Sequence, residues 1–254
     1  MAAGVLPAII GGSGLESIPA LEIAECLDVA TPWGQPSTAV LKGRIHGADI
    51  LFLSRHGAGH VIPPHRINYR ANIAALRELG GTHLIAFNAV GGINQRYKPG
   101  DLVLPDQIID YTWGRDHTFA DSGEVPLLHV DFTDPYDRYL RELLINTAQD
   151  SDCQLHPNGV YGATQGPRLE SAAEITRLAR DGCDLVGMTG MPEAALAREK
   201  QLPYVSLCLI VNPAAGLGDG EISMADIDAV MSAHLPRAIA LLSSACVQLT
   251  RRGN

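Results

Sequence analysis

The sequence predicts a single α/β domain over residues 1–254, a sheet flanked by helices. Three observations lead there. Short apolar, strand-like runs alternate along the chain with runs of helical period. Glycine-rich or polar motifs fall at the ends of the strand-like runs, where open α/β sheets bind ligands. The 254 residues, 46% of them hydrophobic, suffice for one large core. No internal repeat, linker or low-complexity segment divides the chain.

The first strand-like run, 7–10, enters Gly11-Gly12-Ser13-Gly14. A strand opening into glycines suits a phosphate cradle, with the Ser13 hydroxyl as an extra donor. It is not a dinucleotide fingerprint, because Ser17 stands where G-x-G-x-x-G needs glycine, and no G-K-[ST] follows it. Residues 21–31 and 37–45 alternate as strands around Pro32-Trp33-Gly34-Gln35-Pro36, in the manner of a hairpin or meander. The run 50–54 leads to Arg55 and His56. Residues 68–79 read as a helix that Gly80 and Gly81 end. Residues 83–87 fit a buried strand, and Asn88-Ala89-Val90-Gly91-Gly92 reads as a glycine-rich turn with exposed N–H groups. One local unit thus brings Arg55, His56 and anion-binding backbone to strand ends, which suits a doubly charged phosphate.

Beyond it, 101–109 reads as a strand and 111–127 as a long loop of the length that tends to carry function. Residues 137–148 form an amphipathic helix and 158–164 a strand. Ser171 with Glu174 makes a capping box for the next helix. Residues 184–186 are strand-like, and Gly187-Met188-Thr189-Gly190 turns into a helix reaching Glu199. An apolar strand over 204–211 ends in Asn212-Pro213-Ala214, and Ser223 starts a long helix to about Leu249.

Composition excludes several partners. The formal net charge is −9 and basic runs are absent, which argues against nucleic acid and anionic membrane surfaces. An anionic substrate must then be held by a local site. Five scattered cysteines without C-x-x-C spacing read as reduced cytoplasmic thiols. The first ten residues have neither the basic start of a signal peptide nor the length of a membrane span. His56, His60 and His65 raise the question of a metal, but no cysteine lies near them and Pro63-Pro64 breaks any helix carrying all three. No metal or cofactor is expected.

Six motifs in order, R-H-G-A-G-H at Arg55, N-Y-R-A-N-I-A-A-L, N-A-V-G-G, G-P-R-L-E, G-M-T-G-M-P-E and N-P-A, together with G-G-S-G, resemble the trimeric purine nucleoside phosphorylases and methylthioadenosine phosphorylases. The resemblance spans essentially the whole chain. It implies a mixed twisted sheet and reversible phosphorolysis of a purine nucleoside, with phosphate as co-substrate and no cofactor. It also implies a homotrimer or a pair of trimers. By position, Ser13, Arg55, His56, Asn88, Ala89 and Thr189 would hold phosphate, and Met188 would lie along the ribose. Leu169, Glu170, Asn212, Pro213 and Ala214 would surround the base, with His56, Glu170 and Asn212 serving catalysis. Met224, Ile227 and a neighbouring subunit's His129 would meet the 5′ end.

The base positions depart from the methylthioadenosine enzymes, which usually carry acidic residues where this chain has Asn212 and Ala214. Glu170 and Asn212 match the 6-oxopurine pattern. An ionised Glu170 accepts from N1–H, which hypoxanthine has and adenine lacks, while Asn212 can serve O6 and N7. Met224 and Ile227 put apolar side chains where a 5′-hydroxyl would want a partner. An oxopurine pocket joined to an apolar 5′ pocket resembles the bacterial S-methyl-5′-thioinosine phosphorylases. Ordinary inosine and guanosine phosphorolysis, and methylthioadenosine phosphorolysis with an atypical pocket, are the alternatives.

Overall fold

The structure, a computed structural model, describes residues 4–121, 123 and 125–252. Its strands are β1 (Pro7–Gly11), β2 (Glu22–Leu27), β3 (Val40–Ile45), β4 (Ala48–Ser54), β5 (His83–Gly92), β6 (Leu102–Val103), β7 (Gln107–Asp110), β8 (Leu155–His156), β9 (Val160–Ala163), β10 (Leu185–Gly187) and β11 (Tyr204–Pro213). The helices are α1 (Tyr69–Glu78), α2 (Arg138–Asp150), α3 (Ala172–Arg180), α4 (Gly190–Glu199) and α5 (Met224–Arg252).

The strands join one mixed sheet ordered β2-β3-β4-β1-β5-β10-β9-β7, with β11 on β5 and β6 and with β8 on β6. Its centre is parallel: β1 lies between β4 and β5, and β11 runs beside β5. Strands covered on both faces need continuous apolar runs. β1 and the first eight residues of β11 are buried throughout, as are five of the first six residues of β5. β2 is an edge strand, exposed along nearly its whole length, and its Glu22 and Glu25 suit an edge that must not recruit further strands. α5 has the length and hydropathy of a membrane span. Yet Met231, Ala238, Leu242, Ala245 and Leu249 are buried along it, and it packs on β11 and α2.

Several elements differ from expectation. Residues 88–92 are not a turn: β5 runs on through Gly92, paired with β11 as far as Pro213. Glycine pairs are poor strand formers, but here a side chain would crowd the neighbours: a Cβ on Gly91 would lie 3.1 Å from Val186, and one on Gly92 3.2 Å from Ile210. The strand expected over 101–109 is broken at Pro105, which has no N–H to give a ladder. Its halves serve different neighbours, β6 pairing with β11 and β7 with β9. The 21–31 and 37–45 runs shorten to β2 and β3. Residues 111–127, expected as a long loop, form no helix or strand among those described, and positions 122 and 124 lie outside the described residues.

Local chemistry fixes the helix starts. Asn68 and Asp137 accept from the backbone N–H of Ala71 and Leu140. At α3 the reciprocal bonds of Ser171 and Glu174 are both present, and Arg168 reaches Glu174 with two bonds of 2.8 Å. This cap stands directly after Glu170. Ser171→Ala removes it, and urea denaturation should show a loss of about 1 kcal/mol.

Candidate active site

The sheet opens at its centre. β1 pairs with β5 only as far as Ala86, and β10 takes up the same edge only at Gly91 and Gly92. Residues 87–90 are left without a strand on that side. The Phe87 carbonyl faces the gap, since it accepts from Arg55 Nη1 at 3.0 Å. Backbone groups two residues apart share an edge, so the Ala89 N–H turns into the same gap. A cavity of about 840 Å³ fills this opening, which suits a nucleoside together with phosphate.

One wall is Gly12, Ser13 and Gly14, just past β1. Gly12 has no alternative here: a Cβ would stand 2.6 Å from the Phe87 carbonyl oxygen and 2.7 Å from Arg55 Nη1. Arg55 and His56 follow β4, and Asn88 and Ala89 lie on β5. Thr189, before α4, donates to Asn88 Oδ1 at 2.8 Å, and Asn88 Nδ2 donates to Ser206 Oγ at 2.7 Å. At the opposite end, Glu170 Oε1 accepts from Thr164 Oγ1 at 2.6 Å. β11 reaches the cavity through a register shift between Ile210 and Asn212, which re-aims the chain where it meets the site. Asn212 Nδ2 donates to the Pro213 carbonyl at 2.6 Å and keeps its second N–H and its oxygen free. Ala214 is buried against the Gly91 backbone. Met224, Ile227, Asp228 and Met231 line the last wall from one face of α5.

The electrostatics refine the expectation that two basic side chains, Arg55 and His56, stand at the strand end. Arg55 is fully buried, and its Nε and Nη2 donate to both oxygens of Glu193 at 2.7 and 2.9 Å. Burial alone would lower the Arg55 pKa, but the charge and hydrogen bonds of Glu193 leave it raised. The pair is neutral overall, and only one N–H on each Nη of Arg55 remains uncommitted. His56 is pushed down to about 4 by burial and then by the adjacent Arg55 charge, so it is neutral at pH 7. Its Nδ1 lies 2.9 Å from the Ile62 carbonyl, which can only accept, so Nε2 is left as an acceptor. The His56 and His60 rings stack, with centroids 4.3 Å apart.

The sequence profile of the phosphorylase superfamily matches residues 8–246. A probable S-methyl-5′-thioinosine phosphorylase of Xylella fastidiosa is 54% identical over 221 residues, covering 87% of this chain and 93% of that protein. A 6-oxopurine nucleoside phosphorylase of Pyrococcus furiosus is 44% identical, covering 94% of this chain and 91% of its own. Among solved structures, the methylthioadenosine phosphorylase of Schistosoma mansoni in complex with adenine superposes with a TM-score of 0.92 at 30% identity, covering 96% and 91% of the two chains.

The chain belongs to the phosphorylase superfamily.

Within this phosphorylase, Ser13, Arg55, His56, Asn88, Ala89, Leu169, Glu170, Met188, Thr189, Asn212, Ala214, Met224 and Ile227 all line the one cavity. Met224 is 65% exposed, so it is not a core residue of α5. Two predicted residues stand apart: Pro213 is outside the lining, and His129 is exposed and does not line the cavity. Sequence reasoning missed Glu193, although a buried arginine needs a carboxylate and Glu193 closes the G-M-P-E motif. It also missed Asp228 and Met231, which helical spacing from Met224 and Ile227 would have found.

Two outcomes follow from this electrostatic arrangement. Glu193→Ala leaves Arg55 charged and buried without a partner, and denaturation should show a loss of about 3–5 kcal/mol. His56 has a folded pKa of about 4, below the value of about 6.5 expected when unfolded. As pH falls, the unfolded chain therefore takes up that proton first. The contribution is intact above about pH 6.5 and is lost through pH 4, amounting to roughly 3 kcal/mol. A comparison of wild type with His56→Gln from pH 7 to 4 should show the variant losing less stability by about that amount.

Proposed function

We propose that this phosphorylase catalyses the reversible phosphorolysis of S-methyl-5′-thioinosine to hypoxanthine and 5-methylthioribose 1-phosphate. The single observation that carries the reading is the joining of Glu170 and Asn212 to Met224 and Ile227 in one cavity. An anionic acceptor at one end suits the N1–H of a 6-oxopurine. An apolar lining at the other suits a methylthio group, with sulfur against the Met224 thioether. The names of the relatives at 54% and 44% identity agree with an oxopurine base.

Phosphate would lie between Ser13, Thr189, the Ala89 N–H and the uncommitted N–H groups of Arg55. Holding it there against C1′ removes much of the entropic barrier to attack. As the glycosidic bond breaks, the ribose gains positive charge and the purine negative charge. Met188 lies along the sugar. Leu169 and Ala214 pack the base, and Asn212 meets the charge that develops at N7. Neutral His56 offers Nε2 to a sugar hydroxyl or a protonated phosphate oxygen, a role that a cation could not fill. Phosphate is the co-substrate, and no cofactor is needed.

The chain acts in the cytoplasm as a homotrimer or a pair of trimers, with His129 of one subunit closing the 5′ pocket of the next. His129 is exposed, and Leu127 and Leu128 beside it are 72% and 54% exposed, as an intersubunit segment would be before assembly. Inosine and guanosine phosphorolysis is the second reading, favoured by the relatives named for 6-oxopurine nucleosides.

Release of free base from methylthioinosine, inosine and methylthioadenosine in the presence of phosphate separates the readings. Methylthioinosine should exceed methylthioadenosine by at least about tenfold in kcat/KM, because adenine N1 would face Glu170 acceptor to acceptor. It should exceed inosine by about 5- to 30-fold from burial of the methylthio group. A ratio near one against methylthioadenosine overturns the base assignment, and a ratio near one against inosine overturns the 5′ assignment.

A further inference from the structure

We infer that Arg115 is a positioning residue that clamps the 164–170 loop to the 187–191 loop and so sets the separation of Glu170 from Thr189. What these loops bind is taken from the phosphorolysis reading; the clamp itself is not.

Arg115 lies in the long 111–127 loop and is only 8% exposed. Its guanidinium fans out over both loops. Nη1 donates to the carbonyls of Met188 at 2.9 Å and Met191 at 2.6 Å, and to the Tyr69 hydroxyl at 3.2 Å. Nη2 donates to the carbonyls of Thr164 at 3.2 Å and Gln165 at 2.9 Å. Nε completes the fan at 3.3 Å from Gln165 Oε1, which also accepts from the Trp113 N–H. Every acceptor is neutral. A buried guanidinium without a carboxylate is costly to desolvate. Here carbonyl dipoles from two loops offset that cost, and they can do so only while both loops stay in place.

Each loop transmits the constraint to the cavity. Thr164, held by its carbonyl, gives its hydroxyl to Glu170 at 2.6 Å. The Met188 carbonyl shares a peptide plane with the Thr189 N–H, so fixing one fixes the other. That N–H lies 3.4 Å from the Tyr161 hydroxyl, while the Thr189 hydroxyl engages Asn88. Arg115 therefore acts on Glu170 through Thr164 and on Thr189 through Met188, without contacting substrate. A lysine would keep the charge but lose the planar fork needed to span both loops.

Arg115→Lys is the test, with hydrogen exchange followed by peptide and kinetics followed by base release. Exchange should quicken in both 164–170 and 187–191 while β1 and α5 stay as in the wild type. With the nucleoside that the wild type cleaves best, kcat should fall about 10- to 100-fold, the scale of an ångström-sized misplacement. In a Glu170→Gln background the same change should cost several-fold less than in the wild type, because the Glu170 arm is already altered and only the Thr189 arm remains to be disturbed. Gln165→Ala, a milder loss of one acceptor, should move exchange in the same direction and serves if the lysine variant fails to fold. Unchanged exchange in both loops, or an equal fold-loss in both backgrounds, overturns the clamp. Exchange needs no substrate, so a wild type inactive on all three nucleosides would sink the functional reading and leave the clamp to be judged by exchange.

Discussion

The buried pair of Arg55 and Glu193 is the interaction on which the site depends. It ties the end of β4 to α4, and through the Phe87 carbonyl it ties both to β5. The Tyr204 hydroxyl adds β11 by donating to Glu193 at 2.9 Å. Four elements that come together from distant parts of the chain are thus held at one point beneath the cavity. Such a pair adds little net stability compared with packed apolar side chains, because both charges must be stripped of water. What it provides is geometry. It also takes up most of the positive charge at this end of the cavity, leaving hydroxyls, backbone N–H groups and the two uncommitted N–H groups of one guanidinium among the groups that line it.

Much of this was legible in the sequence. Apolar runs gave the central strands, the capping box at Ser171 gave one helix start, and helical spacing gave those near 68 and 137. The motifs at strand ends gave the residues that line the cavity, because polar and glycine-rich segments are expensive inside a sheet and stay where a ligand needs them. What failed was the state of those residues. Arg55 and His56 read only as two basic side chains, because the partner that neutralises Arg55 lies far away in sequence, Glu193 being 138 residues from it, and because the burial that keeps His56 neutral comes from the fold. Asn88 to Gly92 read as a turn because glycine propensity is local, whereas a sheet neighbour is not. Arg115 carried no signal at all, since its acceptors are main-chain carbonyls, which every residue possesses.

The split between the two ends of the cavity follows from the topology. The end proposed for phosphate is assembled from strands of the sheet centre and is held by their ladders. The ends proposed for the base and the 5′ group come from segments that follow β9, β10 and β11 and from the first turns of α5, outside the sheet ladder. Their placement relies on small devices: the capping box after Glu170, the register shift before Asn212, and the fan of bonds around Arg115.

The opening along residues 87–90 has an evolutionary consequence. A main-chain donor at a gap between strands cannot be deleted by point substitution, short of a proline. On the proposed reading, the grip on the nucleophile is therefore insulated from drift, whereas the choice of purine and of sugar substituent would rest on a few side chains at 170, 212, 214, 224 and 227 that can change singly. One scaffold can then pass between substrates without an inactive ancestor between them. Relatives bearing three different nucleoside names and sharing 41–54% identity with this chain are what such a division of labour would leave behind.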